Sequence, residues 1–261
     1  MAWTHWEHLT TSELADPAFR DAVAVLPLGA VEQHGPHLPL GTDAILVDGV
    51  LDAALGRLPE PVPALRLPTQ RVGLSPEHAG FAGTLTLDPG TVMAQWTAIG
   101  AAVARAGIRR LMLLNGHGGQ SAMVDVVAMR LRAEHGMTVA RVTYFDLIGE
   151  DPAIDDRERR FGWHGGQVET ALMLALRPEL VRRDRLSDFA SAAETIADRY
   201  RELRVEGPSG LGWMAEDLNP SGATGNAAAA TEEIGRRLLD RVAGRLATLI
   251  GELHGCEGFG G

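Results

Sequence analysis

Residues 31–43, VEQHGPHLPLGTD, carry Glu32, His34, His37 and Asp43 on a stretch that also holds two prolines and two glycines. Carboxylate and imidazole side chains in such density suit a divalent cation or general acid–base work. Three other stretches have the same character. LMLLNGHGGQ runs an apolar segment straight into His117, with Gly118 and Gly119 behind it. WHGGQVETALMLAL sets His164 at a helix entrance and Glu169 in its first turns. SPEHAGFAGT puts His78 in a Gly-rich loop. Taken alone, each histidine has a plainer reading as a buried, hydrogen-bonded side chain. Their joint position at strand ends is what points to metal.

Imidazole with carboxylate suits Zn²⁺ first, with Mn²⁺ and Fe²⁺ also compatible. Cys256, the only cysteine, lies in the Gly-rich tail GCEGFGG, so no thiolate site or disulfide framework is available. A thiolate-free donor set favours a hydrolytic centre over a structural one. One aspartate can bridge two such ions, and a pair of ions can hold a hydroxide because the pKa of bound water falls towards about 7.

The elements that would carry these residues alternate. Strand-length apolar runs occur at 22–28, 62–67, 110–114 and 138–144, and helical spacing at 44–58, 90–106, 120–135, 167–176 and 227–253. In the last of these, Ile234, Leu238, Val242 and Leu246 recur at four-residue steps. Short buried strands between amphipathic helices predict a mostly parallel sheet covered on both faces, the α/β class. In such sheets ligands bind beyond the carboxyl ends of the strands, where Glu32, His34 and His117 are expected. The charged run 151–160 and the Gly-rich, charged run 201–218 read as surface loops or lids. Trp3, Trp6 and Trp96 read as packing or subunit-contact residues, and Arg141, Arg157 and Arg159 as surface charge.

The chain has 261 residues, 45% hydrophobic, with 24 Lys and Arg against 34 Asp and Glu. That length and composition suit one domain over 1–261. A net charge of −10 argues against nucleic acid or an anionic membrane as partner. No run approaches the ~20 apolar residues of a membrane span, and the N-terminus lacks the basic start and apolar core of a signal peptide. A cytoplasmic location is expected.

With these residues in hand, the chain resembles the creatininase (creatinine amidohydrolase) family. The resemblance rests on LPLGAVEQHGPHLPLGTDA, EHAGFAGTLTL, LMLLNGHGGQ, WHGGQVETALMLALRPELV and NPSGATGNAAAATEEIG, which follow the family's order across nearly the whole chain. It implies a three-layer α/β/α sandwich, a two-metal site, hydrolysis of an amide or related C–N bond in a small-molecule substrate, and a homo-oligomer, often a hexamer. By the same resemblance, Glu32 and His117 would hold one metal, His34 the other, and Asp43 would bridge. His164 would transfer protons, and His78 would face the substrate. Creatininase itself has an acidic second-metal ligand where this chain has Gly119, and Glu169 is the expected replacement. It has Tyr at Gly118, Trp at Phe145 and Glu at Trp163, so these three positions should shape a different substrate pocket. Creatinine is therefore not the expected substrate. A formamide, a peptide end or a sugar-derived ring carbonyl are the alternatives, and a non-catalytic small-molecule binding protein is the rival outside enzymology.

Overall fold

The computed structural model describes residues 3–258. Five strands, β1 (Trp3–His5), β2 (Val23–Leu28), β3 (Ala64–Arg66), β4 (Arg110–Asn115) and β5 (Thr138–Thr143), form one parallel sheet in the order β1-β3-β2-β4-β5. The helices are α1 (Thr11–Leu14), α2 (Thr42–Leu55), α3 (Pro89–Arg105), α4 (Ser121–His135), α5 (Asp156–Phe161), α6 (Gln167–Leu176), α7 (Ala192–Arg199), α8 (Ala215–Leu218) and α9 (Glu232–Gly255). Two short strands, β6 (Asp188–Phe189) and β7 (Gly225–Asn226), pair antiparallel beside the main sheet.

The layering follows from the two-residue period of the strands. Val23 and Val25 of β2, with Met112 and Leu114 of β4, pack under α2, α6 and α9. Ala24, Leu26 and Leu28, with Leu111 and Leu113, pack under α3 and α4. Both faces of the central strands are buried, as their unbroken apolar sequence requires. The result is the expected α/β/α sandwich.

Register decides where the site falls. Leu28 lies opposite Asn115, and Asn115 opposite Thr143, so β2, β4 and β5 end at one level. The loops that leave them open onto the same edge of the sheet.

Several boundaries differ from the sequence reading. α2 starts at Thr42 rather than 44, which puts Asp43 inside its first turn. β3 is confined to Ala64–Arg66 because Pro61, Pro63 and Pro68 flank it and supply no N–H to a ladder. The long C-terminal helix begins at Glu232, where the Thr231 side chain accepts the Ile234 N–H; residues 227–229 form a separate 3₁₀ turn. The run 151–160 is no free loop. Asp151 is buried between Arg237 and Arg241 of α9, whose hydrogen bonds, Arg237 first, hold its carboxyl well below the usual range. Residues 156–160 of that run belong to α5, and Arg157 forks onto Asp188 and Glu194. Trp96 is fully buried in the core. Among the described residues no helix is long and apolar enough to cross a membrane.

Candidate metal centre

Glu32 and His34 leave the end of β2, Asp43 stands in the first turn of α2, His117 follows β4, and His164 and Glu169 flank the start of α6. Close approach between these elements needs glycine at two places. A Cβ at Gly116 would come 2.9 Å from Val47 Cβ and 3.2 Å from the Asp43 carbonyl, so His117 reaches α2 only behind a glycine. Gly165 has φ +64°, and a Cβ there would come 3.2 Å from Ala223 and 3.3 Å from the His34 carbonyl. Its N–H donates to Glu169 Oε2 at 2.6 Å, which fixes the carboxylate beside the imidazoles.

Each of three buried imidazoles is tied at one nitrogen to a backbone carbonyl. His34 Nδ1 donates to the Glu32 carbonyl at 3.1 Å, His117 Nε2 to the Leu74 carbonyl at 3.0 Å, and His164 Nε2 to the Gln33 carbonyl at 2.5 Å. The tie selects the tautomer and turns the other nitrogen to carboxylates. His34 Nε2 faces Asp43 Oδ1 at 3.0 Å and Glu169 Oε1 at 3.8 Å. His117 Nδ1 faces Glu32 Oε1 at 3.2 Å and Asp43 Oδ2 at 3.3 Å. His164 Nδ1 lies 3.6 Å from Glu32 Oε1. The two oxygens of Asp43 therefore address different histidines.

A test of fit to cations comes from the carboxylates. Glu32 is fully buried, and neither of its oxygens, nor Asp43 Oδ2, receives a hydrogen bond. A buried carboxylate without a donor is costly, by about 1–3 kcal/mol or more for a charged group. A divalent cation at these oxygens removes that cost, and the donor chemistry is of the right kind. Donor atoms of His34, Asp43 and Glu169 lie within 4.8 Å of one another, as do those of Glu32, Glu77 and His117.

The electrostatics agree. Burial pushes the Glu32 carboxyl up to about 7. Burial opposes the charged forms of His34 and His117, but Asp43 beside the first and Glu32 beside the second raise both well above the ordinary imidazole value. Asp43 and Glu169 are held below the usual carboxylate range despite burial, chiefly by His34. The centre demands positive charge, which bound cations would supply. Burial, followed by the charge of His34, lowers His164 to about 4, and burial lowers His37 to about 4. His37 does not join the cluster; its Nε2 pairs with Thr170 Oγ1 at 3.0 Å, and its ring stacks on Phe189.

His164 is sandwiched between His34 and His78, with ring centroids 4.1 Å from each. A cavity of about 680 Å³ opens over the cluster. Its lining includes every position expected to shape the substrate pocket: His78, Gly118, Phe145 and Trp163. A Cβ on Gly118 would meet nothing within 4 Å. Glu206 and Trp213 also line it, from the run 201–218, and the Trp213 Nε1–H donates to Glu206 at 2.9 Å.

Two participants escaped the sequence reading. Gln33 Nε2 donates to His78 Nδ1 at 2.8 Å and to the Gly222 carbonyl at 2.9 Å, and its own carbonyl receives His164. Glu77 Oε1 stands 3.2 Å from His117 Nε2. Both sit beside a candidate histidine in the motifs themselves, and that adjacency was the available signal.

A family model described as creatinine amidohydrolase (Creatininase) matches residues 7–250. This chain belongs to the creatininase family. It is 35% identical over 209 residues to the creatinine amidohydrolase of Pseudomonas putida, covering 74% of this chain and 76% of the relative. It is 33% identical over 219 residues to the mycofactocin precursor peptide peptidase of Mycobacterium ulcerans, covering 82% and 78%. A mutant creatininase structure of Zn–Zn type aligns with TM-score 0.77 and 30% identity over 95% of this chain and 97% of that one. As a creatininase-family protein, the chain is a metal-dependent hydrolase of C–N bonds, and its fold is that of the family.

Proposed function

We propose that this creatininase-family hydrolase uses two divalent cations, zinc first, to cleave a C–N bond in a substrate larger than creatinine, with a peptide end as the class that suits it best. The observation that carries the two-cation reading is the arrangement of the imidazoles: each is anchored at one nitrogen by a backbone carbonyl and turns the other to a buried carboxylate. Zinc is supported by the donor chemistry and by the Zn–Zn form of the related creatininase. The peptide-end reading is supported by the open space at Gly118 and by the peptidase relative.

The residues divide as follows. Glu32 and His117 would hold the first cation and His34 and Glu169 the second, with Asp43 shared between them. Bound there, the cations would polarise the scissile carbonyl and lower the pKa of a water molecule. His164 moves the proton. Its Nε2–H is committed to Gln33, so Nδ1 is the working atom, and it faces the centre at Glu32. Nδ1 takes a proton as water attacks and returns it to the departing nitrogen, without which an amide nitrogen leaves poorly. His78, Phe145 and Trp163 line the cavity over the centre, where a substrate would sit.

Metal-loaded protein should be assayed by mass spectrometry against short peptides, formamides and creatinine. Peptide cleavage from one end should exceed creatinine turnover in kcat/KM by at least about tenfold, the scale on which a mismatched pocket discriminates. Creatinine as the best substrate on that panel would overturn the substrate assignment.

A further inference from the structure

Glu77 stands outside the donor set inferred from the sequence. It lies on the 3₁₀ turn Pro76–His78 after β3, and its side chain is 12% exposed on the cavity wall. Its Oε1 is 3.2 Å from His117 Nε2, whereas Glu32 and Asp43 lie at Nδ1 of the same ring. The Leu74 carbonyl at 3.0 Å and Ser75 Oγ at 3.4 Å share Nε2 with it. Among the described residues, His34 and His164 meet only a neutral carbonyl at the matching nitrogen. His117 alone adds an anion.

Gly119 makes room for this carboxylate. A Cβ at that position would stand inside the van der Waals envelope of Glu77 Oε1 and only 2.8 Å from His117 Nε2. A side chain at 119 and the Glu77 carboxylate therefore compete for one place beside the imidazole.

Resting on the two-cation reading of the same centre, we infer that Glu77 is a positioning residue for the cation held by Glu32 and His117. Its carboxylate lies beside the Nε2–H that His117 donates to the Leu74 carbonyl, and its charge there raises the basicity of Nδ1 as a donor atom. It also adds a fourth negative side chain to Glu32, Asp43 and Glu169 around the centre. Because its oxygen lies within 4.8 Å of a Glu32 oxygen and a His117 nitrogen, the charge is felt at the ion itself.

The test is a Co²⁺ titration followed by visible absorption, with site occupancies read by anomalous diffraction, on the full chain. Wild-type protein should take two ions. Glu77→Ala should weaken the Glu32–His117 site by about 10–100-fold and leave the His34–Glu169 site within about threefold, the scale of losing a carboxylate behind a ligating histidine. Glu77→Gln, which keeps the shape of the side chain, should weaken the same site by about tenfold through loss of charge. Unchanged affinity at the first site in both single variants, or equal loss at both sites, would overturn the inference. A wild-type chain that takes no ion would instead remove the two-cation reading beneath it.

Discussion

His164→Ala should keep both cations and lose turnover by about 10²–10⁴-fold, the usual worth of a positioned general acid–base group. The separation of the two effects follows from geometry. His164 Nδ1 is 3.6 Å from Glu32 Oε1, while His34, His78 and His117 come nearer, at 3.0–3.3 Å from Asp43 or Glu32. Removing the His164 ring leaves those contacts in place. What would disappear is the atom proposed to carry a proton from the attacking water to the leaving nitrogen. Elemental analysis with steady-state kinetics checks it. The loss should fall on kcat more than on KM, and substrates with good leaving groups should recover most of the rate because they do not need protonation. Near wild-type turnover in a metal-replete variant would take His164 out of the chemistry.

The second large effect belongs to Asp43. Its Oδ1 faces His34 and its Oδ2 faces His117, so one side chain serves both halves of the centre. Asp43→Ala should therefore lose both cations in parallel. The residue is buried in the first turn of α2. Glu169→Gln provides the contrast: Glu169 faces His34 alone among the histidine donors, so its change should empty mainly the second site. Two equivalents retained by Asp43→Ala, measured by elemental analysis of purified protein, would contradict a bridging role.

The legible parts of the site were those written locally. Glu32 and His34 sit on one short stretch after an apolar strand, and His117 follows another, so the rule that ligands bind beyond parallel strand ends placed these three at one edge of the sheet. The burial of β2 and β4 on both faces was equally plain in their unbroken apolar sequences. Glu77 and Gln33 were not legible, because their roles depend on which ring nitrogen they meet; the His117 ring is oriented by the Leu74 carbonyl and the Gln33 amide by the Gly222 carbonyl, both from distant segments. β1 was hidden because Trp3–His5 offers only three residues, without an apolar run, and gains its strand geometry from pairing with β3. The charged run 151–160 misled for a similar reason. Its partners, Arg237 and Arg241, come from α9, more than eighty residues away. Charge along a sequence marks a solvated face until a distant opposite charge claims it.

Anomalous diffraction at the metal edge on crystals of the native protein is the most direct measurement. Two peaks about 3.5–4 Å apart, one against Glu32 and His117 and one against His34 and Glu169, with Asp43 between them, are expected. A single peak, or peaks away from these side chains, would contradict the two-cation centre.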